Sequence, residues 1–208
     1  MHAVILDIDG TLLESNDADD ELYVAAVRSV LGPVRLRESW GSYDHVTDSG
    51  ILADICADNG LVLTRADLEQ IKTYFVESLV QHIDGAGSFP EIPGARDFVL
   101  SLHNSSQHAV AYATGGWGAS ARLKLSRAGF PLDIPLASAD DFPERTSIMK
   151  HALALIGREV RSITYYGDGT WDQVATRSLG WQFVAVGATL AGLSEYEVMG
   201  ADGGQRRI

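Results

Sequence analysis

The sequence predicts an α/β protein: a doubly wound parallel sheet with helices on both faces, interrupted after its first strand by a wholly helical insertion. Three observations carry that prediction. Short β-branched or apolar runs recur, each followed by a turn and a helical pattern. Several of the helical patterns stop at glycine, as left-handed C-terminal caps require: Gly129, Gly157 and Gly180. One long stretch, 15–87, keeps helical periodicity with no convincing strand inside it.

The elements follow in order. AVILDID (3–9) is the first strand, and it ends in two carboxylates, Asp7 and Asp9. The insertion contains ELYVAAVRSVLG, VTDSGILADICADNG and RADLEQIKTYFVESLVQHI. Thr64 is an N-cap candidate for the last of these. Its linkers are SNDAD (15–19) and the Gly- and Pro-bearing DGAGSFPEIPG (84–94). The division is therefore a core of 1–14 and 88–208 and an inserted lobe of 15–87. The acidic cluster Asp17, Asp19, Asp20 and Glu21 reads as a solvated helix start, where the helix dipole favours negative charge. The core resumes with helix RDFVLSLHN (96–104) and strand HAVAYATGG (108–116). Helix GASARLKLSRAG (118–129), strand PLASADD (135–141) and helix TSIMKHALALIG (146–157) come next. Strand SITYYGDG (162–169), helix WDQVATRSLG (171–180) and strand FVAVG (183–187) complete it, and the tail ADGGQRRI (201–208) reads as a frayed terminus.

The 208 residues are 46% hydrophobic, enough for a sizeable core. A net charge of -12 argues against nucleic acid or an anionic membrane as partner, since both need basic patches. An anionic small molecule is still admissible, because a few residues and any bound metal set the local field. Cys56 is the only cysteine, so no internal disulfide forms and a reducing, cytoplasmic setting is expected. The apolar start is too short for a membrane helix and lacks a signal peptide's flanks.

In open α/β sheets ligands bind beyond the carboxyl ends of the strands. Asp7 and Asp9 lie at such an end, as do Thr114 and Asp168, with Asp172 just after it and Arg145 and Lys150 following PLASADDFPE. The chemistry that needs this set is phosphoryl transfer. Hard oxygen ligands suit Mg²⁺, which would sit between Asp7 and Asp168 and answer the repulsion between the carboxylates. One carboxylate attacks phosphorus; a second protonates the leaving oxygen and later activates water. A hydroxyl, amides and a cation hold the equatorial oxygens.

DIDGT, Thr114, Arg145 or Lys150, and GDGTWD together resemble, in order, the four motifs of the haloacid dehalogenase superfamily. The resemblance covers nearly the whole chain. It implies a Rossmann-like core with an α-helical cap and points to the phosphatase-like subgroup with such caps. By resemblance, Asp7 is the nucleophile and a metal ligand. Asp9 is the general acid/base, with its backbone carbonyl on the metal. Thr114, with the amides of Gly115 and Gly116, binds the transferred phosphoryl group. Asp168 binds Mg²⁺ and Asp172 supports that shell, while Gly10 and Thr11 form the turn leading to the cap. Arg145 is preferred to Lys150 as the third-motif cation, since a residue at the helix start faces the strand ends. Tyr43 and His45 become candidate substrate contacts, because that part of the cap faces the site in related proteins. Trp117 and Trp171 either line the pocket or belong to the core. The expected activity is a Mg²⁺-dependent phosphatase for a small phosphorylated metabolite, working through an aspartyl-phosphate as monomer or homodimer. The alternatives are a sugar-phosphate mutase of the same superfamily and a catalytically silent phosphate-binding regulator.

Overall fold

A computed structural model describes residues 1–199 and 205–206. Five parallel strands form the central sheet: β1 (His2–Leu6), β2 (His108–Ala113), β3 (Leu136–Ala137), β4 (Ser162–Gly167) and β5 (Gln182–Ala185). Their order is β3-β2-β1-β4-β5, so β1 lies in the middle and pairs with both β2 and β4. The chain reverses direction of winding at β1, and the crevice beyond β1 and β4 is where such sheets bind ligands.

Period-two alternation assigns each strand residue a face. Val4, Leu6, Val110 and Tyr112 pack with Phe98 and Val99 of α4 (Ala95–His103) and Leu125 of α5 (Gly118–Arg127). Ile5, Ala111, Ala113 and Tyr165 pack on the other side with Ile148 and Met149 of α6 (Arg145–Ile156) and Ala175 of α7 (Thr170–Ser178). Both faces are apolar, so the strands read as continuous hydrophobic runs. Gly129, Gly157 and Gly180 all take positive φ, as expected of C-terminal caps.

The inserted lobe holds α1 (Asn16–Leu31), α2 (Asp48–Asp58) and α3 (Arg65–Ala86), with a 3-10 turn at Trp40–Ser42. Among the described residues, 16–86 carries no strand. Thr64 caps α3 in a capping box: its hydroxyl accepts from the Asp67 amide and the Asp67 carboxylate accepts from the Thr64 amide, both at 3.1 Å. Ile71, Phe75, Leu79 and Ile83 repeat every four residues and form the buried face of α3. That face meets Tyr23, Ala26 and Val27 of α1, and Phe75 reaches Trp117 of the core at 5.9 Å between ring centroids. Lobe and sheet therefore share one apolar interior.

Three expectations need correction. The acidic cluster does start a helix, but only part of it is solvated: Asp17 is exposed, while Asp19 is largely buried against Lys124. The third strand is only Leu136–Ala137, because Asp141 turns back to accept the Ser138 amide at 2.9 Å and ends it. In the tail, Gln205–Arg206 pairs antiparallel with Val198–Met199, so this part is not frayed; the rest of ADGGQRRI lies outside the described residues. Cys56 is buried, and no described helix is long and apolar enough to cross a membrane.

Candidate active site

Strand β1 delivers Asp7, buried to 4% exposure, at its carboxyl end, where the Asp7 amide donates to the Tyr166 carbonyl at 3.0 Å. The chain then turns tightly, with the Leu12 amide donating back to the Ile8 carbonyl at 2.7 Å. Gly10 sits in this turn at φ +70°, and a Cβ there would fall 2.0 Å from Asp168 Oδ2. Only glycine lets the first and fourth strand ends approach so closely.

Asp7, Asp168 and Asp172 converge, each offering an oxygen within 4.8 Å of the others; they form a cluster that could hold a metal ion. Asp172 already has its oxygens engaged. Oδ1 accepts from Arg145 Nη1 at 2.9 Å and from the Tyr165 hydroxyl at 3.2 Å, and Oδ2 accepts from the Gly169 amide at 3.1 Å. Asp168 Oδ2 accepts from Asn16 Nδ2 at 2.9 Å. Asp7 and Asp168 are thus the carboxylates best placed to ligate, with Asp172 behind them.

Arg145, the first residue of α6, is the cation of this cluster. Its Nη1 lies 3.6 Å from Asp7 Oδ2, and its Nη2 donates to the Val46 carbonyl of the inserted lobe at 2.8 Å. Lys150, one turn on, is exposed. Thr114 is buried at the end of β2, its amide donating to the Ala137 carbonyl at 3.1 Å. The Gly116 amide donates to Thr114 Oγ1 at 3.0 Å, so it braces the threonine. The Gly115 carbonyl accepts from the Asp48 amide at 2.8 Å, which joins this loop to α2.

Asp9 stands outside that cluster but lines the same cavity. Its Oδ1 accepts from Ser15 Oγ and, at 2.6 Å, from Lys124 Nζ. Lys124 also donates to Asp19 at 2.7 Å.

A cavity of about 190 Å³ lies over these groups, with Asp7, Thr114, Arg145 and Asp168 on its floor and Trp171 at its rim. The lobe supplies the roof through Asp19, Asp20 and Tyr23 of α1, Trp40, and Thr47, Asp48 and Ile51 at the start of α2. Tyr43 and His45 do not share it. They line a neighbouring depression, where His45 is exposed and the Tyr43 hydroxyl accepts the Arg37 amide at 3.0 Å. Val46, Thr47 and Asp48 take the place expected of them. The reason is the N-cap geometry of Thr47: its hydroxyl accepts the Gly50 amide and donates to the Pro143 carbonyl, which turns the following residues inward. Trp117 is core; its indole donates to Ser49 at 3.0 Å and its amide to Asp48 at 2.8 Å. Sequence reasoning missed Lys124, Asp48 and the inward turn of Asp19.

Burial drives the Asp7 carboxyl well above the usual range, with repulsion from Asp172 adding and Arg145 opposing. Burial lifts Asp168 to about 6, helped by Asp172, and lifts Asp19 to about 7 even against the attraction of Lys124. Their ordinary value is 3.8. A value raised in the fold means that the folded chain holds these protons more tightly than the unfolded one. The stability they contribute is fully present below about pH 4 and is lost as pH rises through about 6 to 7. The thermal midpoint of the metal-free protein should therefore fall between about pH 5 and about pH 8. A midpoint that rises over that interval contradicts the charge arrangement described.

A family model for haloacid dehalogenase-like hydrolases matches residues 1–180. No curated protein matches the sequence significantly. Solved structures share the fold at low identity. CbbY from Rhodobacter sphaeroides in complex with phosphate is 17% identical at a TM-score of 0.69, over 96% of this chain and 91% of that one. A β-phosphoglucomutase from Clostridium difficile is 14% identical at 0.69, over 89% and 84%. A putative phosphoglycolate phosphatase from Lactobacillus plantarum is 17% identical at 0.55, over 88% and 85%.

Proposed function

The chain belongs to the haloacid dehalogenase-like hydrolase family, and on that premise we propose that it is a Mg²⁺-dependent phosphatase for a small phosphorylated metabolite. The observation that carries this reading is the difference in surroundings between Asp7 and Asp9. The first stands among Asp168, Asp172 and Arg145; the second lines the same cavity with one oxygen anchored by Ser15 and Lys124.

In the proposed reaction an Asp7 oxygen attacks phosphorus and the ester P–O bond breaks, leaving the phosphoryl group on Asp7. Asp9 gives its proton to the departing oxygen, and the alcohol leaves. Asp9 then takes a proton from water as that water attacks the acyl phosphate, which frees inorganic phosphate and restores Asp7. Arg145 and the Thr114 hydroxyl hold the phosphoryl oxygens where negative charge gathers. Asp7, Asp168 and the Asp9 carbonyl would hold Mg²⁺, with Asp172 supporting them. The hard-oxygen donor set suits it, and so do the burial and the repulsion from Asp172 that lift both Asp7 and Asp168. When bound, the ion supplies neutralising charge to the carboxylates and the phosphoryl oxygens.

The cavity limits the substrate. About 190 Å³ under a roof of helices suits a phosphate ester with a small leaving group. Its roof carries Asp19, Asp20 and Asp48 beside Tyr23 and Trp40, and Arg145 is the only Lys or Arg among the described residues lining it. Such a roof offers oxygen acceptors to a neutral or amine-bearing alcohol and no cation to a second phosphate or a carboxylate. A screen of phosphorylated metabolites with and without EDTA tests the reading. Release of phosphate should require the divalent ion, and monophosphates of polyols or amino alcohols should exceed bisphosphates by tenfold or more in kcat/KM, about 1.4 kcal/mol. Isomerisation of a sugar phosphate with little phosphate release, or binding without turnover, overturns it.

A further inference from the structure

We infer that Lys124 is a positioning residue for the acid/base Asp9, an inference that rests on the phosphatase reading. A lysine with no exposed side-chain surface is rare, because removing an ammonium from water is costly unless it is paired. Lys124 occupies the inward face of α5, in line with Ser120, Ala121 and Leu125, and its Nζ meets two carboxylates, Asp9 Oδ1 at 2.6 Å and Asp19 Oδ1 at 2.7 Å. Burial alone lowers its proton affinity, but Asp19 and Asp9 together outweigh that and keep it charged.

The geometry gives the pair a direction. Ser15 and Lys124 both bind the same oxygen of Asp9, Oδ1. The other oxygen, Oδ2, faces the Thr114 loop, near enough that a Cβ at Gly116 would lie 3.6 Å from it. Pinning Oδ1 turns Oδ2 toward the place where the phosphoryl group and its leaving oxygen sit. The anchor is assembled from three parts of the chain: α5 of the core carries Lys124, the turn after β1 carries Asp9, and the first turn of α1 in the lobe carries Asp19. Asp19 thus secures the lysine from the lobe side, and the orientation of Asp9 depends on the lobe being in place.

A purely structural ion pair and a positioning residue differ in one readout. Loss of a well-placed proton donor hurts esters of poor leaving groups and largely spares p-nitrophenyl phosphate, whose departing phenolate needs no proton. kcat/KM covers only the steps up to phosphoryl transfer, so it isolates that event. In Lys124→Met, kcat/KM for alkyl phosphates should fall about a hundredfold while p-nitrophenyl phosphate loses only severalfold, the pattern also expected of Asp9→Asn. Because Lys124→Met leaves Asp9 and Asp19 buried without their cation, Lys124→Met combined with Asp19→Asn removes the excess charge and should show the same leaving-group dependence. Equal losses on both substrates, or none, overturn the inference while leaving the phosphatase reading intact. No phosphate release by the wild-type protein from either substrate overturns both.

Discussion

Replacing Asp7 by asparagine lowers phosphate release by at least ~10³-fold while the protein stays folded. The amide is close to the carboxylate in shape, so the β1 strand end and its packing are preserved. What disappears is the attacking oxygen, since an amide is a far weaker nucleophile than a carboxylate. Stability should not fall. Asp7 is a buried acid crowded by Asp172 and Asp168, and a neutral group there relieves repulsion. A thermal midpoint equal to or above that of the wild-type chain, together with lost turnover, separates chemistry from folding. Hydrolysis of p-nitrophenyl phosphate surviving near the wild-type rate removes Asp7 from the reaction.

Arg145→Met has the opposite balance. The guanidinium lies between Asp7 at 3.6 Å and Asp172 at 2.9 Å and is half of the link to Val46 of the lobe. Removing it leaves two buried carboxylates without their cation, a loss on the order of 3–5 kcal/mol at neutral pH. In the proposed reaction it also removes the charge that would hold the phosphoryl oxygens, so kcat should fall about 10²–10³-fold. The instability should shrink in mild acid, where the uncompensated carboxylates take up protons. Lys150→Ala, by contrast, alters an exposed helix position and should change neither quantity. Paired kinetics and thermal melts on the two variants decide which cation belongs to the site, and a large loss in Lys150→Ala with little in Arg145→Met would reverse the assignment.

Much of the sheet was legible in the sequence because alternation and apolar runs determine which residues are strands, and sheet topology determines where their ends go. That is why Asp7, Thr114 and Asp168 converge as their spacing implied. Helix phase was less legible. Lys124 sits in GASARLKLSRAG beside Arg122, and composition alone does not say which of the two turns inward. The clue was its place in the stripe with Ala121 and Leu125. Asp19 was hidden the same way, within a run of acids that a helix start accommodates in solvent. Tyr43 and His45 lay in the right segment at the wrong rotation. The N-cap hydrogen bonds of Thr47 reorient the chain by contacts to Pro143, some hundred residues away, which local pattern does not encode.

In the proposed reaction Asp7 carries the phosphoryl group. Acid quenching of the enzyme during turnover with Mg²⁺ and a monophosphate, followed by peptide mass spectrometry, tests it most directly. One phosphoryl group is expected on the peptide holding Asp7 and none in the Asp7→Asn chain; turnover with no phosphorylated Asp7 at any quench time, or a phosphoryl group on another residue, would remove Asp7 as the nucleophile.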